Sequence, residues 1–165
     1  MIRARFTALR SDERGASLIE LALAAPFFAA LLIGMADMAR AYSLKLILEQ
    51  ASQRSIEMVE NQRSVQTSYS SALTTEATSA MTDAGYSTGN TTTPDAWLEC
   101  SSDGTTWTRQ TDFNGSCPNA GDTTARYVSM RISRSFTPMF PSRAWPGADS
   151  NGNITLSGYA EVRIQ

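Results

Sequence analysis

The sequence predicts an α+β fold: one long N-terminal helix, hydrophobic in its first half and amphipathic in its second, packed on a small antiparallel β-sheet. Three observations predict it. An apolar run from Ala16 to Ala36 carries a single charge, Glu20. A helical stripe of apolar and small residues continues beyond that run to about residue 62. Near the C-terminus two segments alternate apolar and polar residues with period two, so each gives a strand with one apolar face. At 165 residues the chain has room for one domain and a membrane segment.

The apolar run extends over about 31 Å at helical rise, enough to cross the hydrocarbon core of a bilayer. Arg3, Arg5, Arg10 and Arg14 precede it, against Asp12 and Glu13, and the first charges after it are Asp37, Arg40 and Lys45. The positive-inside bias therefore expects a cytoplasmic N-terminus and places residue 37 onward outside. Pro26 removes one backbone donor and crowds the carbonyl of Ala22, so a kink is expected there. Alanines and Gly34 around it form a small-residue surface that lets another helix approach closely. A secretory signal peptide is the rival reading, with Ala39-Arg40-Ala41 as the cleavage site and Tyr42 as the mature start. Against it, the apolar run is long and carries a glutamate near its start, and helical periodicity continues through Ala41.

Glu20 is the anomaly of the run, since a carboxylate in a lipid-facing segment costs roughly 2.5–3.5 kcal/mol on insertion scales. It stands five residues after Gly15, which ends a charged leader of residues 1–15. The segment Arg14-Gly15-Ala16-Ser17-Leu18-Ile19-Glu20 resembles the class III leader of type IV pilin-like proteins. Extended to Pro26, it resembles the start of TadE-like proteins of the Tad (tight adherence, Flp-type) pilus system. The resemblance implies a pilin-like fold and cleavage by a prepilin peptidase after Gly15, at the cytoplasmic face. Ala16 would become the new N-terminus and Glu20 the fifth residue of the mature chain, and Pro26 matches a proline of the family pattern. Leu21 departs from it, because many members carry an aromatic there.

The implied role is that of a minor pilin or pseudopilin in Tad-type pilus assembly, held in the bacterial inner membrane by a single pass and possessing no cofactor. Its partners would be the peptidase and other pilus subunits, met through the N-terminal helix. Cleavage would create an α-amine at Ala16, with an ordinary pKa of about 7.7–8.0. Glu20 lies just over one helical turn further on, placed to meet the Ala16 amine of an adjacent subunit at similar depth. A helix N-terminus also favours a carboxylate. The plainer alternative is that Glu20 snorkels to the headgroups. Two other functions stay open: a bitopic protein with an uncleaved anchor and a periplasmic binding domain, and a secreted module cut after Ala41.

Beyond the membrane segment (16–36), an amphipathic helix is expected over 37–63, with Leu44, Ile47, Leu48, Ala51, Ser55, Met58 and Val59 on one face. Lys45 and Glu49 form an i,i+4 pair off that face. An α+β domain fills 64–165. Within it Leu73, Ala77, Ala80, Met81 and Ala84 mark a second helix that Gly85 ends. Ser87–Pro94 reads as a polar linker. Ala96–Cys100 and Thr106–Arg109 read as a hairpin around Ser102-Asp103-Gly104. Val128, Met130, Ile132 and Phe136 share one face of a strand that Pro138 ends. Ile154, Leu156, Ala160, Val162 and Ile164 share one face of the next.

Composition narrows the chemistry. There is no histidine, and net charge is −2, so the commonest general base and metal ligand is missing and no basic face marks nucleic-acid binding. Arg126, Arg131 and Arg134 read as a solvated strand face. Cys100 and Cys117 cannot complete a zinc site alone. Their spacing suits a disulfide closing a loop in an oxidising compartment, the alternative being two structural thiols. Asp149-Ser150-Asn151-Gly152-Asn153 offers alternating oxygen ligands, but its glycine is misplaced for a calcium loop and Ala160 stands where the final glutamate belongs, so it reads as a turn. No phosphate-binding loop, metal set or activated nucleophile is present, which argues against an enzyme.

Overall fold

The structure, a computed structural model, describes residues 14–62, 69–141, 143 and 145–164. Most of the expected leader, residues 1–13, lies outside the described residues. The elements are α1 (Arg14–Gln62), α2 (Tyr69–Asp83), β1 (Asn90–Ser101), β2 (Thr108–Gln110), β3 (Thr123–Phe136) and β4 (Ile154–Arg163). The strands form one antiparallel sheet in the order β2-β1-β3-β4. The α+β arrangement expected from the sequence is thus observed. The chain divides into two compact units, Met1–Arg40 and Ala41–Gln165.

In the second unit the core lies between helices and sheet. Leu44, Leu48, Ala51, Ile56 and Val59 of α1, with Leu73, Ala77, Ala80 and Met81 of α2, pack on Val128, Met130, Ile132 and Phe136 of β3. The buried face of α1 is rotated slightly from the expected one. Ile56 and Ser52 are buried, while Ile47 and Met58 are half-buried. Small residues fill its centre: Ser52 donates to the carbonyl of Leu48 (2.9 Å) and Ser55 to that of Ala51 (2.8 Å). Each buried hydroxyl is satisfied within the helix, so it adds little bulk and no unpaired polar atom.

That small face lets the sheet come close. Gly158 of β4 sits against the helix backbone, where an added Cβ would fall 2.2 Å from the carbonyl carbon of Leu48. Lys45 reaches the carbonyl of Ser157 on the same strand and pairs with Glu49 at 3.0 Å, the i,i+4 pair expected from the sequence. β4 is an edge of the sheet, and a lysine on its backbone blunts that edge against further pairing.

Helix α2 ends as expected at Gly85 (φ +88°). Tyr86 N–H donates to the Met81 carbonyl (2.8 Å) and Gly85 N–H to that of Thr82 (2.9 Å), a Schellman closure that needs a left-handed residue between them. Ala84, placed with the buried face in the sequence reading, is exposed, since it falls in this turn. The helix itself packs on β1.

At the level of strands the structure makes three corrections. The stretch read as a linker over Ser87–Pro94 is strand from Asn90, paired residue for residue with β3 from Asn90↔Arg134 to Ser101↔Thr123. β2 pairs only with Leu98–Cys100, so Pro94 stands where β1 is an edge, the place a strand tolerates proline. The return arm of the hairpin begins at Thr108, because Thr106 belongs to the turn around Asp103. The three arginines do not share a solvated face. Arg126 donates to the carbonyls of Phe113 (3.0 Å) and Gly115 (3.1 Å), Arg134 to Asn90 Oδ1 (2.9 Å) and the Thr88 carbonyl, and Arg131 lies over the Tyr159 ring.

Candidate functional site

The residues that the sequence singles out for processing lie at the start of α1. Gly15 and Ala16 are the second and third residues of the helix, and Glu20 lies just over one turn after Ala16. Helical geometry puts Ala16 and Glu20 about 40° apart around the axis and about 6 Å apart along it. Glu20 is exposed. Its neighbours are apolar and equally uncovered: Leu18, Ile19, Leu21 and Leu23 are 63–75% exposed. Pro26 lies inside a helix that continues on both sides of it.

The same holds along the run. Phe27, Phe28, Leu31, Leu32, Met35 and Met38 all present apolar surface without protein cover. This is the one helix among the described residues that is long and apolar enough to cross a membrane, and none of its apolar window is buried. Leaving such a surface in water forfeits about 1.5–3 kcal/mol for each large side chain. The segment therefore needs a lipid or helical environment. Asp37 and Arg40, paired at 3.1 Å, mark the polar end of the run.

The chemistry available here is noncovalent. One carboxylate stands on an apolar cylinder, with Arg14 preceding it by six residues. Removal of the residues up to Gly15 would take Arg14 away and leave an α-amine at Ala16, one turn from Glu20. No group of three or more histidine, cysteine, aspartate or glutamate side chains is placed to hold a metal ion among the described residues.

In the second unit the two cysteines are joined, with Cα atoms 5.7 Å apart. The bond fastens segment 111–117 to β1, and the two hydrogen bonds from Arg126 hold the same segment. The Asp149 loop is the turn expected of it, closed by Asn151 and Asn153 N–H groups on Oδ1 (2.7 and 2.9 Å). Those amides hold the Asp149 carboxyl below the usual carboxylate range.

Sequence reasoning missed the sheet's other face. Trp97 and Tyr127, directly opposite in register, stack with centroids 5.5 Å apart. The Arg109 guanidinium lies 4.2 Å from the Trp97 centroid and pairs with Asp95 at 2.6 Å. Trp97 is only 7% exposed, since its neighbours' long side chains cover it. The signal was the period-two position of Trp97 and Tyr127, but their pairing depends on a register that neither segment shows alone.

Residues 15–56 match the family model described as TadE-like protein. The match begins at Gly15 and extends beyond the apolar run to Ile56, on the buried face of α1. Over this segment, about a quarter of the chain, the sequence is similar to TadE-like proteins. No curated protein and no solved structure gives a significant match to the chain.

Proposed function

We propose that this protein is a TadE-like minor pilin or pseudopilin, anchored by Ala16–Ala36 in the bacterial inner membrane, with residues 37 onward in the periplasm. A prepilin peptidase cuts it after Gly15, and the mature chain takes part in assembling a Tad-type pilus. Its role is structural. Apolar helices meet through their small-residue surfaces, Glu20 sets their register against the Ala16 amine of a neighbour, and the outer unit meets other subunits. One observation carries the reading: a match starting at Gly15 coincides with an uncovered apolar run, 16–36, whose only charge is Glu20. The expected outward side agrees with the disulfide, which persists in oxidising compartments.

Intact mass or N-terminal sequencing of the protein extracted from the envelope tests it. A mature start at Ala16 is expected. An intact leader would mean an uncleaved anchor, and a start at Tyr42 a secreted module; either result overturns the proposal. Glu20→Ala is expected to abolish or strongly reduce pilus assembly while the protein still inserts. Undiminished pili in that variant would remove the register role and leave snorkelling to the headgroups.

A further inference from the structure

The loop between β3 and β4 exposes three large apolar side chains of the second unit. Met139, Phe140 and Trp145 are 56%, 59% and 48% exposed. From Thr137 to Ala148 the sequence carries one charge, Arg143, and three prolines, Pro138, Pro141 and Pro146. The prolines restrict the backbone before any partner arrives, which lowers the entropy lost on docking. The Trp145 indole N–H donates to the Phe140 carbonyl at 3.2 Å. That ring can therefore leave water with its polar atom already satisfied. The base of the loop is closed by the Asp149 turn and by an isolated bridge between Ala148 and Ile154.

The loop's place in the unit is set by its neighbours. Ala80 and Ala84 of α2 line one depression with Ile47, Gln50 and Ala51, and Asp83 pairs with Arg54 at 2.9 Å, so α2 runs back along α1. β1 starts beside that returning end, and Asn90, its first residue, is tied to Arg134 near the end of β3. On β4, Ser157 meets Lys45 and Gly158 meets Leu48. At the opposite end Phe113 packs edge-on against Tyr69, which opens α2 seven residues after α1 stops. β1 and β4 thus ascend with α1 while β3 descends between them, and the β3–β4 loop lies at the Ala41 end of the unit. Ala41 comes only five residues after Ala36, a tether of at most about 18 Å even if fully extended.

We propose that the β3–β4 loop is a membrane-surface anchor, with Met139, Phe140 and Trp145 seated in the headgroup region of the bilayer that residues 16–36 span. The inference rests on the membrane reading of that segment. Tryptophan with flanking arginine is the chemistry of the membrane interface, where an amphipathic ring and a snorkelling guanidinium are both accommodated. Lipid, not a second protein, is the occupant favoured here, because the tether holds this end of the unit beside the bilayer whatever else the protein binds. The anchor adds a second attachment to the single helix and restricts the tilt of the outer unit on the membrane.

The test uses the full chain reconstituted in phosphatidylethanolamine–phosphatidylglycerol vesicles, with acyl chains either ordinary or brominated near the headgroup. Brominated lipid is expected to cut the Trp145 share of the emission roughly twofold, and this loss should disappear in Trp145→Phe. Phe140→Ser, which keeps the reporter, is expected to weaken the quenching. Vesicle flotation separates the two claims. Protein that floats but shows no Trp145-dependent quenching overturns the loop anchor alone, whereas protein that fails to float overturns the membrane reading and the anchor with it. Protection of Trp145 that tracks protein density and ignores bromine marks a contact between copies, and also overturns the proposal.

Discussion

At the scale of single residues, two positions constrain the second unit more than their size suggests. Gly158 owes its identity to close approach. A methyl group there would meet the carbonyl carbon and oxygen of Leu48 at 2.2 Å and the Glu49 nitrogen at 2.5 Å. These are backbone atoms of a helix, so no rotamer change relieves the clash. Gly158→Ala should therefore cost on the order of 2–4 kcal/mol, read as a lower thermal midpoint, and an unchanged midpoint would show that β4 and α1 lie farther apart. Asp103 acts through charge. Its carboxylate accepts from the Thr106 and Thr105 amides (2.7 and 2.8 Å) and from Ser101 Oγ (3.0 Å), and these donors hold its pKa well below the usual carboxylate range. A depressed carboxylate contributes stability that is fully present above its unfolded pKa, about 3.9, and is lost as pH falls through the lower folded value. At pH 7 the turn should be intact, and Asp103→Ala should speed amide exchange at Thr105 and Thr106. On acidification the Asp103 carboxyl should titrate below the ordinary aspartate value of about 3.9. A midpoint near 3.9 would contradict the turn geometry.

At the scale of elements, the cross-link and the strand pattern carry most of the information. Cys100 and Cys117 close a loop of sequence separation 17, and constraining such a loop in the unfolded chain is worth about 3 kcal/mol. Replacing both by serine should lower the thermal midpoint by on the order of 10 °C, with the loss reproduced by reduction of the native protein. Equal midpoints with and without reductant would show that the Arg126 hydrogen bonds hold segment 111–117 unaided. Much of this architecture was legible in the sequence. The alternation of Val128, Met130 and Ile132, the stripe on α1 and the Gly85 stop are local patterns whose period is their own evidence. The rest was not, for physical reasons. Asn90–Pro94 lacks the alternation of apolar and polar residues and ends in a proline, and it is strand because a long β3 pairs with it. Gly158 looks like any strand glycine until the helix opposite it is known. Ile56 falls on the buried face only because small Ser52 and Ser55 let that face turn towards the sheet. At the N-terminal segment the spacing of Gly15, Ala16 and Glu20 was fully visible. The loop with Trp145, by contrast, carries no periodicity, and Pro138 marks only where the strand before it stops.

At the scale of the whole molecule, the two units differ in how their apolar surface is covered. Between Leu18 and Met38 the large apolar side chains other than the half-buried Ile33 are exposed along the helix, and none belongs to the buried core. Every member of that core, from Leu44 to Phe136, lies within Ala41–Gln165. The second unit thus holds its own hydrophobic centre, its own sheet and the disulfide. A chain beginning at Ala41 should fold alone, remain soluble without detergent, and unfold in one cooperative transition near that of the second unit of the full chain. The comparison is made by circular dichroism and thermal melts of the fragment and of the detergent-solubilised full chain. Removing residues 1–40 deletes the helical turns before Leu44, so some fraying at the new N-terminus is expected, and Lys45 on the Ser157 carbonyl should limit it. A fragment that aggregates or melts without cooperativity would show that the first unit contributes to the core after all. A folded fragment would place the division of labour at Arg40: an apolar helix whose surface is completed by its surroundings, and a second unit that folds by itself.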